Sequence, residues 1–569
     1  MTERPARTLL PLAGAVAHTV GDSVALHIAE TRLRALGCSV SRRPGTALPG
    51  APAGQIDLVR VPGGFRRTPL PGCALDWAGP VGVPMAGEHD VQAACGLAHL
   101  HGRSRGGPRF LGVDYASVCA GVLAAQAVTA SVLALARGGP ALDATVSAAQ
   151  AALLAAGPHV AAATAPGQEP PRRGEPGAAP PFRSSDGTRF EIETLDAEAW
   201  LAFWTDLGAA PSAIAAGWPH FQSRFATAVC PLPPELAAAA ATADLSGVRA
   251  AAHRAGVSIA PLRTAADAEA SASAWRWRLR PTGARGNPLP APRAAAPLSG
   301  LRVVEATSRI QGPLAGLLLA MLGAEVVRIE PPGGDPMRGV PPMAGECSAR
   351  FLALNRGKDA VEADLGTAAG RRTAQELAAT AHVLLYNWPP GRARSFGLGP
   401  KDLAECAPGL VHVHADGWAG DAPGPGATAT DYLVQAHGGV ADLLAGPGEE
   451  PAPSLLTLTD VLGALLAAEG ALAALLARAR TGTGMHVRTA LADAAGLLRR
   501  AGRGTAPEGR SGPAPAQDLA AMASAPEFAG AFDTVGGISC FRAPWTFAPA
   551  GDRPRGAPPA VAVPAGEEP

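Results

Sequence analysis

The chain has 569 residues with 48 Lys+Arg against 48 Asp+Glu, so its formal net charge is zero and the electrostatic case for nucleic-acid binding falls away. Its 47% hydrophobic and 4% aromatic content allows a sizeable core built mainly from Ala, Leu and Val, over a length that suits about three to five domains. No run of 18 apolar residues free of Gly, Pro and charge occurs, which argues against a membrane span.

Leu9–Ala17 follows Arg7 and ends in Ala15-Val16-Ala17, which mimics a secretory leader. The same segment recurs inside the chain, so it is read as part of a fold. The eight cysteines form no C-x-x-C, and their spacing suggests neither a metal site nor a disulfide framework. They fit reduced thiols in a cytoplasmic protein. The cations are almost all Arg, and Lys358 and Lys401 are the two lysines.

The recurrence is ordered. "PLAGAVAHTV" from Pro11 matches "PLSGLRVVEA" from Pro297, and "RALGCSVSR" (Arg34–Arg42) matches "AMLGAEVVR" (Ala320–Arg328) at the same offset of 286, with Gly37 on Gly323. Further on, "DWAGPVGVPMAGEHD" from Asp76 matches "GWAGDAPGPGATATD" from Gly417 at offset 341. A long apolar run from Val113 matches one from Thr459, which sets Asp114 on Asp460. The change of offset gives the second copy about 55 residues that the first lacks.

Between the copies, Ser184–Ala270 reads as two short strands, an amphipathic helix, then helix, strand and helix: a small α+β domain. Pro/Gly/Ala/Arg-rich stretches at Ala165–Pro181, Pro281–Pro297 and Thr505–Gln517 read as linkers, and Gly551–Pro569 as a weakly ordered tail. In the second copy the expected elements alternate. Leu301–Ala306 is a strand, Pro313–Leu322 a helix opened by Gly312-Pro313, and Glu325–Ile329 a strand. A helix at Arg371–Thr380, strands at His382–Tyr386 and Leu410–His414, and helices at Asp431–Leu444 and Val461–Arg480 follow. Such alternation predicts an α/β fold with a doubly wound, Rossmann-like parallel sheet, present twice and abbreviated in the first copy. Ligands in such sheets bind beyond the carboxyl ends of the strands.

The second copy carries "PLSGLRVVEATSRIQGPLAGLLLAMLGAEVVRIEPPGGDPMRG", "FLALNRGK", "YNWPPG" with "FGLG", "DYLVQAHGG" and "LTLTDVLGALLAAEGALAALLARARTGTGMHV". Together these resemble the family III CoA-transferases of the CaiB/BaiF type, densely over about Pro297–Leu497. The middle segment resembles that family's small domain, and the first copy an abbreviated large domain. The resemblance implies large domains at 1–164 and 297–500, a small domain at 184–280, and a last family segment at 525–569. It also implies an interlocked assembly, either a pseudo-dimer within the chain or a homodimer.

The mechanism that the resemblance implies starts when an aspartate attacks an acyl-CoA thioester. CoA then returns to give an aspartyl-CoA thioester, and a second carboxylic acid takes the CoA. CoA is a substrate here; no permanent cofactor or metal is expected, nor nucleic acid or membrane. The matching nucleophile is Asp460, expected just before a helix whose N-terminus keeps a carboxylate ionised; Asp114 is its expected first-copy counterpart. Asn355, Arg356 and Lys358 match a loop that holds CoA phosphates by charge. Asn387 matches a position lining the CoA channel, and Gly312 and Pro313 the turn beside the thioester. Asp431 matches an acidic position near the nucleophile. The family often has Gln two residues before that Gly; here Ile310 stands there and Gln311 one later. The Arg expected after "PG" is displaced to Arg392 or Arg394, and Trp418 lies among residues that would set substrate choice.

Two other readings fit the same residues. A 2-methylacyl-CoA racemase of this fold places a His before the acidic residue. The second copy has Thr430 there, but the first has His89-Asp90 followed by Asp114. An inactive partner of an active homologue fits the truncated first copy and the short region after the second.

Overall fold

A computed structural model describes residues 10–43, 53–61, 69–167, 180–271, 277–293, 295–424, 427–446, 448–504 and 512–551. Residues 168–179 and 505–511 of the expected linkers, and the tail from 552, lie outside them.

Val16–Val20, Val24–Ala35 and Ser39–Arg42 form a strand–helix–strand unit, and Arg302–Ala306, Gln311–Met321 and Glu325–Glu330 form another. Val16 pairs with Ser39 in parallel as Arg302 pairs with Glu325, each residue 286 positions from its equivalent. The turn bonds repeat at the same offset: Leu12 N–H donates to the Leu36 carbonyl, and Leu298 N–H to that of Leu322. Both helices end on a left-handed glycine, Gly37 at φ +98° and Gly323 at φ +103°. A Cβ on Gly323 would come within 2.8 Å of Ala296 Cβ, so the turn needs glycine on two counts. The duplication is therefore structural.

The second sheet runs in the order Asp359–Glu362, Glu325–Glu330, Arg302–Ala306, Val383–Tyr386, Val411–Asp416, Thr483–Ala490, Arg278–Arg285. All pairs are parallel except the last. The extra residues of the second copy supply its edge strand and the helix Ala368–Ala379. The first sheet is Ser39–Arg42, Val16–Val20, Gly54–Arg60, Gly72–Asp76, Leu142–Ser147, Trp545–Pro549, and it is mixed. Gly54–Arg60 runs antiparallel to both neighbours where the second half has a parallel strand. Only residues 43–53 separate it from the preceding strand, too few for a parallel crossover helix.

Arg278–Arg285 is a strand, although Pro281 onward reads as linker. Its interruptions at Pro281 and Gly283 are tolerated because it is an edge strand. It follows the first unit in sequence yet closes the second sheet, against Thr483–Ala490. Trp545–Pro549 follows the second unit and closes the first sheet, against Leu142–Ser147. Each α/β unit is thus finished by the chain that leaves the other.

The helices Tyr115–Ala136 and Leu458–Thr481 have the length and apolarity of membrane spans, but they are buried in the core. They pack on each other, with Gln126 donating to the Leu465 carbonyl at 2.6 Å. Arg32 and Glu469 pair beside them at 2.6 Å, both buried. The expected helix Asp431–Leu444 is two, Asp431–His437 and Val440–Leu444. The break falls at left-handed Gly439, where a Cβ would meet Ala265 Cα at 2.8 Å.

The small domain holds the three-stranded antiparallel sheet Phe182–Arg183, Arg189–Glu193, Ser258–Pro261, with five helices among the described residues. The aromatic residues concentrate in its core, with Trp200, Phe203, Trp204 and Phe221. It packs on the helix Asp431–His437.

Candidate active site

The helix Leu458–Thr481 begins three residues before the expected start, so Asp460 lies within its first turn rather than ahead of it. The free N–H groups of that turn need acceptors. Asp431 Oδ1 takes the N–H of Thr459 at 2.6 Å, that of Asp460 at 2.9 Å, and the Thr459 hydroxyl at 2.6 Å. Gln435 donates to the other Asp431 oxygen and to the Leu456 carbonyl, which locks the buried carboxylate in place. Asp460 donates its N–H, but its own half-buried carboxylate has no hydrogen bond or ion pair among the described residues. Burial pushes Asp431 up to about 6 against these hydrogen bonds. Burial first, then the charges of Asp431 and Glu193, raise Asp460 well above the usual carboxylate range, while Arg309 opposes them.

The loop before the helix Gln311–Met321 faces this turn. The Gln311 side chain lies against Gly463, one turn beyond Asp460; a Cβ on Gly463 would meet its Nε2 at 3.1 Å. Gln311 also donates to the Asp416 carbonyl at 3.3 Å. Gly312 is required by contact, since a Cβ there would stand 2.3 Å from Thr307 Cβ. Asn387 clamps Ser308: its Oδ1 accepts the Ser308 N–H at 3.1 Å and its Nδ2 donates to the Ser308 carbonyl at 3.0 Å. Beside Asn387, from Trp388 onward, lies an open surface pocket of about 680 Å³ lined by Trp388, Pro389, Pro390, Arg392, Phe396 and neighbours. Arg392 sits over the Phe396 ring at 4.6 Å. An aromatic, cationic pocket at the carboxyl end of Val383–Tyr386 suits a planar base and phosphates. Arg394 is exposed and is not among its lining residues.

The Asn355-Arg356-Gly357-Lys358 loop does not present its charges to this space. Lys358 is fully buried; its ammonium donates to Glu305 at 2.8 Å, the Pro313 carbonyl at 2.6 Å and Asn355 at 3.0 Å. Asn355 also accepts from Arg328, which pairs with Glu305, Glu330 and Asp335. Arg356 donates to the Ala353 and Phe541 carbonyls and stacks on the Phe541 ring at 4.5 Å. The three side chains expected to meet phosphate are held by interior partners. A carboxylate inside the strand Arg302–Ala306 must have a cation, and Glu305 takes Lys358.

The first half repeats the Asp431 network in a different register from the one read in the sequence. Glu88 accepts the N–H groups of Ala116 at 2.9 Å and Ser117 at 2.8 Å, and the Ser117 hydroxyl at 2.6 Å. Gln92 donates to Glu88 and to the Val113 carbonyl as Gln435 does to Asp431 and the Leu456 carbonyl. The acidic residues, the glutamines, the carbonyls and the backbone N–H donors are each 343 residues apart, so Glu88 stands for Asp431 and Ser117 for Asp460. Asp114 is therefore not the counterpart of Asp460: it occupies the place of Thr457, with nearly the same backbone angles. The later chain covers it, since a Cβ on Gly504 would stand 2.6 Å from its Oδ1. Asp90 accepts the Ala86 N–H, and His89 packs edge-on to Phe110 at 5.0 Å. Gly87 precedes Glu88 and Thr430 precedes Asp431, so neither half has His before its acidic residue.

The central small domain roofs the second site. Its Arg224 pairs with Glu191 at 2.9 Å and Glu193 at 3.2 Å and lies over the Tyr432 ring at 4.4 Å. Arg263 N–H donates to the Ala436 carbonyl, and Ala265 N–H to Asp442. Trp418, buried, donates to the Ala427 carbonyl at 3.0 Å. Sequence reasoning missed Arg309, Glu193 and Arg224. The two glutamates on one face of a short strand were the available signal.

The family model described as CoA-transferase family III matches the chain twice, over residues 78–287 and 298–537. A probable fatty acyl-CoA transferase of Mycobacterium tuberculosis is 36% identical over 214 residues, 36% of this chain and 53% of that protein. A succinyl-CoA:mesaconate CoA-transferase of Haloarcula hispanica is 35% identical, over 34% of this chain and 52% of that protein. The crystal structure of a CaiB/BaiF family protein from Brucella suis is 34% identical, covers 35% of this chain and 55% of that chain, and has a TM-score of 0.34. The chain spans about half the length of the curated relatives it matches.

Proposed function

The chain belongs to CoA-transferase family III, and from that premise we propose that its second α/β unit transfers CoA from an acyl-CoA thioester to a carboxylic acid, with Asp460 as nucleophile. The observation that carries this reading is the Asp460 carboxylate itself. It is unpaired among the described residues, on a helical turn whose N–H groups Asp431 fixes, facing the Gln311-Gly312-Pro313 turn. A carboxylate without hydrogen-bond donors and with a raised pKa is a stronger nucleophile once ionised.

In the first step an Asp460 oxygen attacks the thioester carbonyl; the C–S bond breaks, and a mixed anhydride and CoA thiolate result. The thiolate attacks the aspartyl carbonyl of the anhydride and releases the donor acid, leaving aspartyl-CoA. The acceptor carboxylate then attacks that carbonyl and expels the thiolate, giving a second anhydride. The thiolate attacks its acyl carbonyl, which forms the new acyl-CoA and frees Asp460. No net proton is consumed. The pocket beside Asn387 takes the nucleotide end of CoA, with Trp388 and Phe396 for the base and Arg392 for phosphate. The reciprocal edge strands support a reading of the two units as an interlocked pseudo-dimer, and Ser117 at the position of Asp460 supports a single competent site.

The test is a trapping experiment. The protein is mixed with an acyl-CoA and quenched with hydroxylamine, and its peptides are read by mass spectrometry. An aspartyl hydroxamate at Asp460, with release of free CoA, is the expected result. Label elsewhere, or none with any of a panel of acyl-CoAs, overturns the assignment.

A further inference from the structure

Arg309 departs from its own repeat. The equivalent residue in the first half, 286 positions earlier, is Ser23, an ordinary N-cap at φ −77° whose side chain accepts the Leu26 N–H at 3.1 Å. Arg309 is left-handed, at φ +69°. For a long side chain that backbone is strained and persists only where neighbours impose it. They do here: Asn387 holds Ser308 on one side, and buried Ile310 and the Gln311–Asp416 bond hold the other. Nothing inside the fold benefits, because the exposed guanidinium makes no hydrogen bond or ion pair among the described residues. Arg224, the nearby cation of the roof, is already taken by Glu191 and Glu193.

Two residues after Arg309, Gln311 packs on Gly463 in the turn after Asp460, so the loop that carries Arg309 lies beside that turn. The Arg309 charge opposes the upward shift of Asp460. The site must bring a carboxylate acid up to Asp431, Asp460 and Glu193, against like charge. We propose that Arg309 is the binding residue for the carboxylate of the donor and acceptor acids, and holds that group beside Asp460. A planar guanidinium accepts a carboxylate through two parallel hydrogen bonds, which fixes the oxygen that attacks. This rests on the transfer reading above and adds to it the residue that recognises the acid.

The experiment separates the two. Wild-type, Arg309→Gln and Arg309→Lys proteins are charged with an acyl-CoA, and Asp460 labelling by hydroxylamine is measured. Discharge of the charged enzyme is then followed against butyrate concentration, and butyrate binding to the uncharged proteins by calorimetry. Arg309→Gln should still label at Asp460 but need about tenfold to a hundredfold more butyrate, the scale of one lost charged hydrogen-bonded pair. Arg309→Lys should fall between. Unchanged butyrate dependence and affinity in Arg309→Gln overturns the proposal. If the wild type does not label at Asp460, the transfer mechanism fails, and calorimetry still decides Arg309: lost butyrate affinity in Arg309→Gln supports it, and equal affinity ends it.

Discussion

The Tyr115 hydroxyl donates to the Leu458 carbonyl at 2.8 Å, across the junction of the two α/β units. Tyr115 opens the long helix of the first unit and Leu458 the long helix of the second, two residues before Asp460. The first unit, which has Ser117 at the position of Asp460, therefore supports the turn that carries Asp460. Tyr115→Phe removes this bond and leaves the Leu458 carbonyl with its own helix alone. Chemical denaturation should show a loss of about 0.5–1.5 kcal/mol. An unchanged midpoint would mean that this bond contributes nothing to the junction.

Asp460→Asn keeps the shape of the turn and its N–H bond to Asp431, and removes the oxygen that must attack. Transfer should be abolished. Asp114→Asn should leave transfer intact, because Asp114 stands where Thr457 stands and lies under Gly504. Ser117→Asp tests the register directly. It sets a carboxylate against Glu88, which now accepts the Ser117 hydroxyl at 2.6 Å, so the fold should lose stability with no gain of a second labelled site. Hydroxylamine trapping and thermal melting of the three variants side by side check all of this.

The repeat was legible where it is carried by backbone requirements. Gly37 and Gly323 are left-handed turns that only glycine fills easily, and the offset of 286 through Arg42 and Arg328 holds bond for bond. The second register was misread because the equivalents are different amino acids. Glu88 does with two oxygens what Asp431 does mainly with one, and Ser117 replaces Asp460. Matching identical letters set Asp90 on Asp431 and Asp114 on Asp460 instead. The exchanged edge strands depend on partners hundreds of residues away, which no local pattern carries. Lys358 was singled out by its rarity. Its burial was readable only through Glu305, an acidic residue in the middle of a buried strand.

Lys358→Met should therefore act on folding before it acts on CoA. It takes one of its two cations from buried Glu305, which keeps Arg328, and removes the donor to the Pro313 carbonyl. Losing one hydrogen bond to a buried charged group costs about 1.5–3 kcal/mol. The double variant Lys358→Met, Glu305→Gln should recover part of that loss, since the remaining side chain is neutral, although it also weakens the Arg328 pair. Denaturation midpoints for the single and double variants provide the comparison. A Lys358→Met protein of normal stability with weakened CoA binding would restore the phosphate role.

Stability and transfer should respond to pH in opposite directions. Burial raises Asp431 to about 6 and, together with the neighbouring Asp431 charge, raises Asp460 well above the ordinary range. The folded state thus holds these protons more tightly than the unfolded chain does. The stabilisation they give is full below about pH 4, near the unperturbed carboxylate pKa, and is lost as pH rises through about 6 and beyond. Asp460→Asn removes a charge that the fold would otherwise have to bury, so the variant should melt higher than wild type, with a gap that widens from about pH 5 to about pH 8. Transfer needs Asp460 ionised, so the wild-type rate should climb over the same range while its melting temperature declines relative to the variant. Melting curves and transfer rates across that range decide the matter. A gap that stays constant with pH would mean that Asp460 titrates alike in the folded and unfolded chain, and its place beside Asp431 would then carry no electrostatic cost.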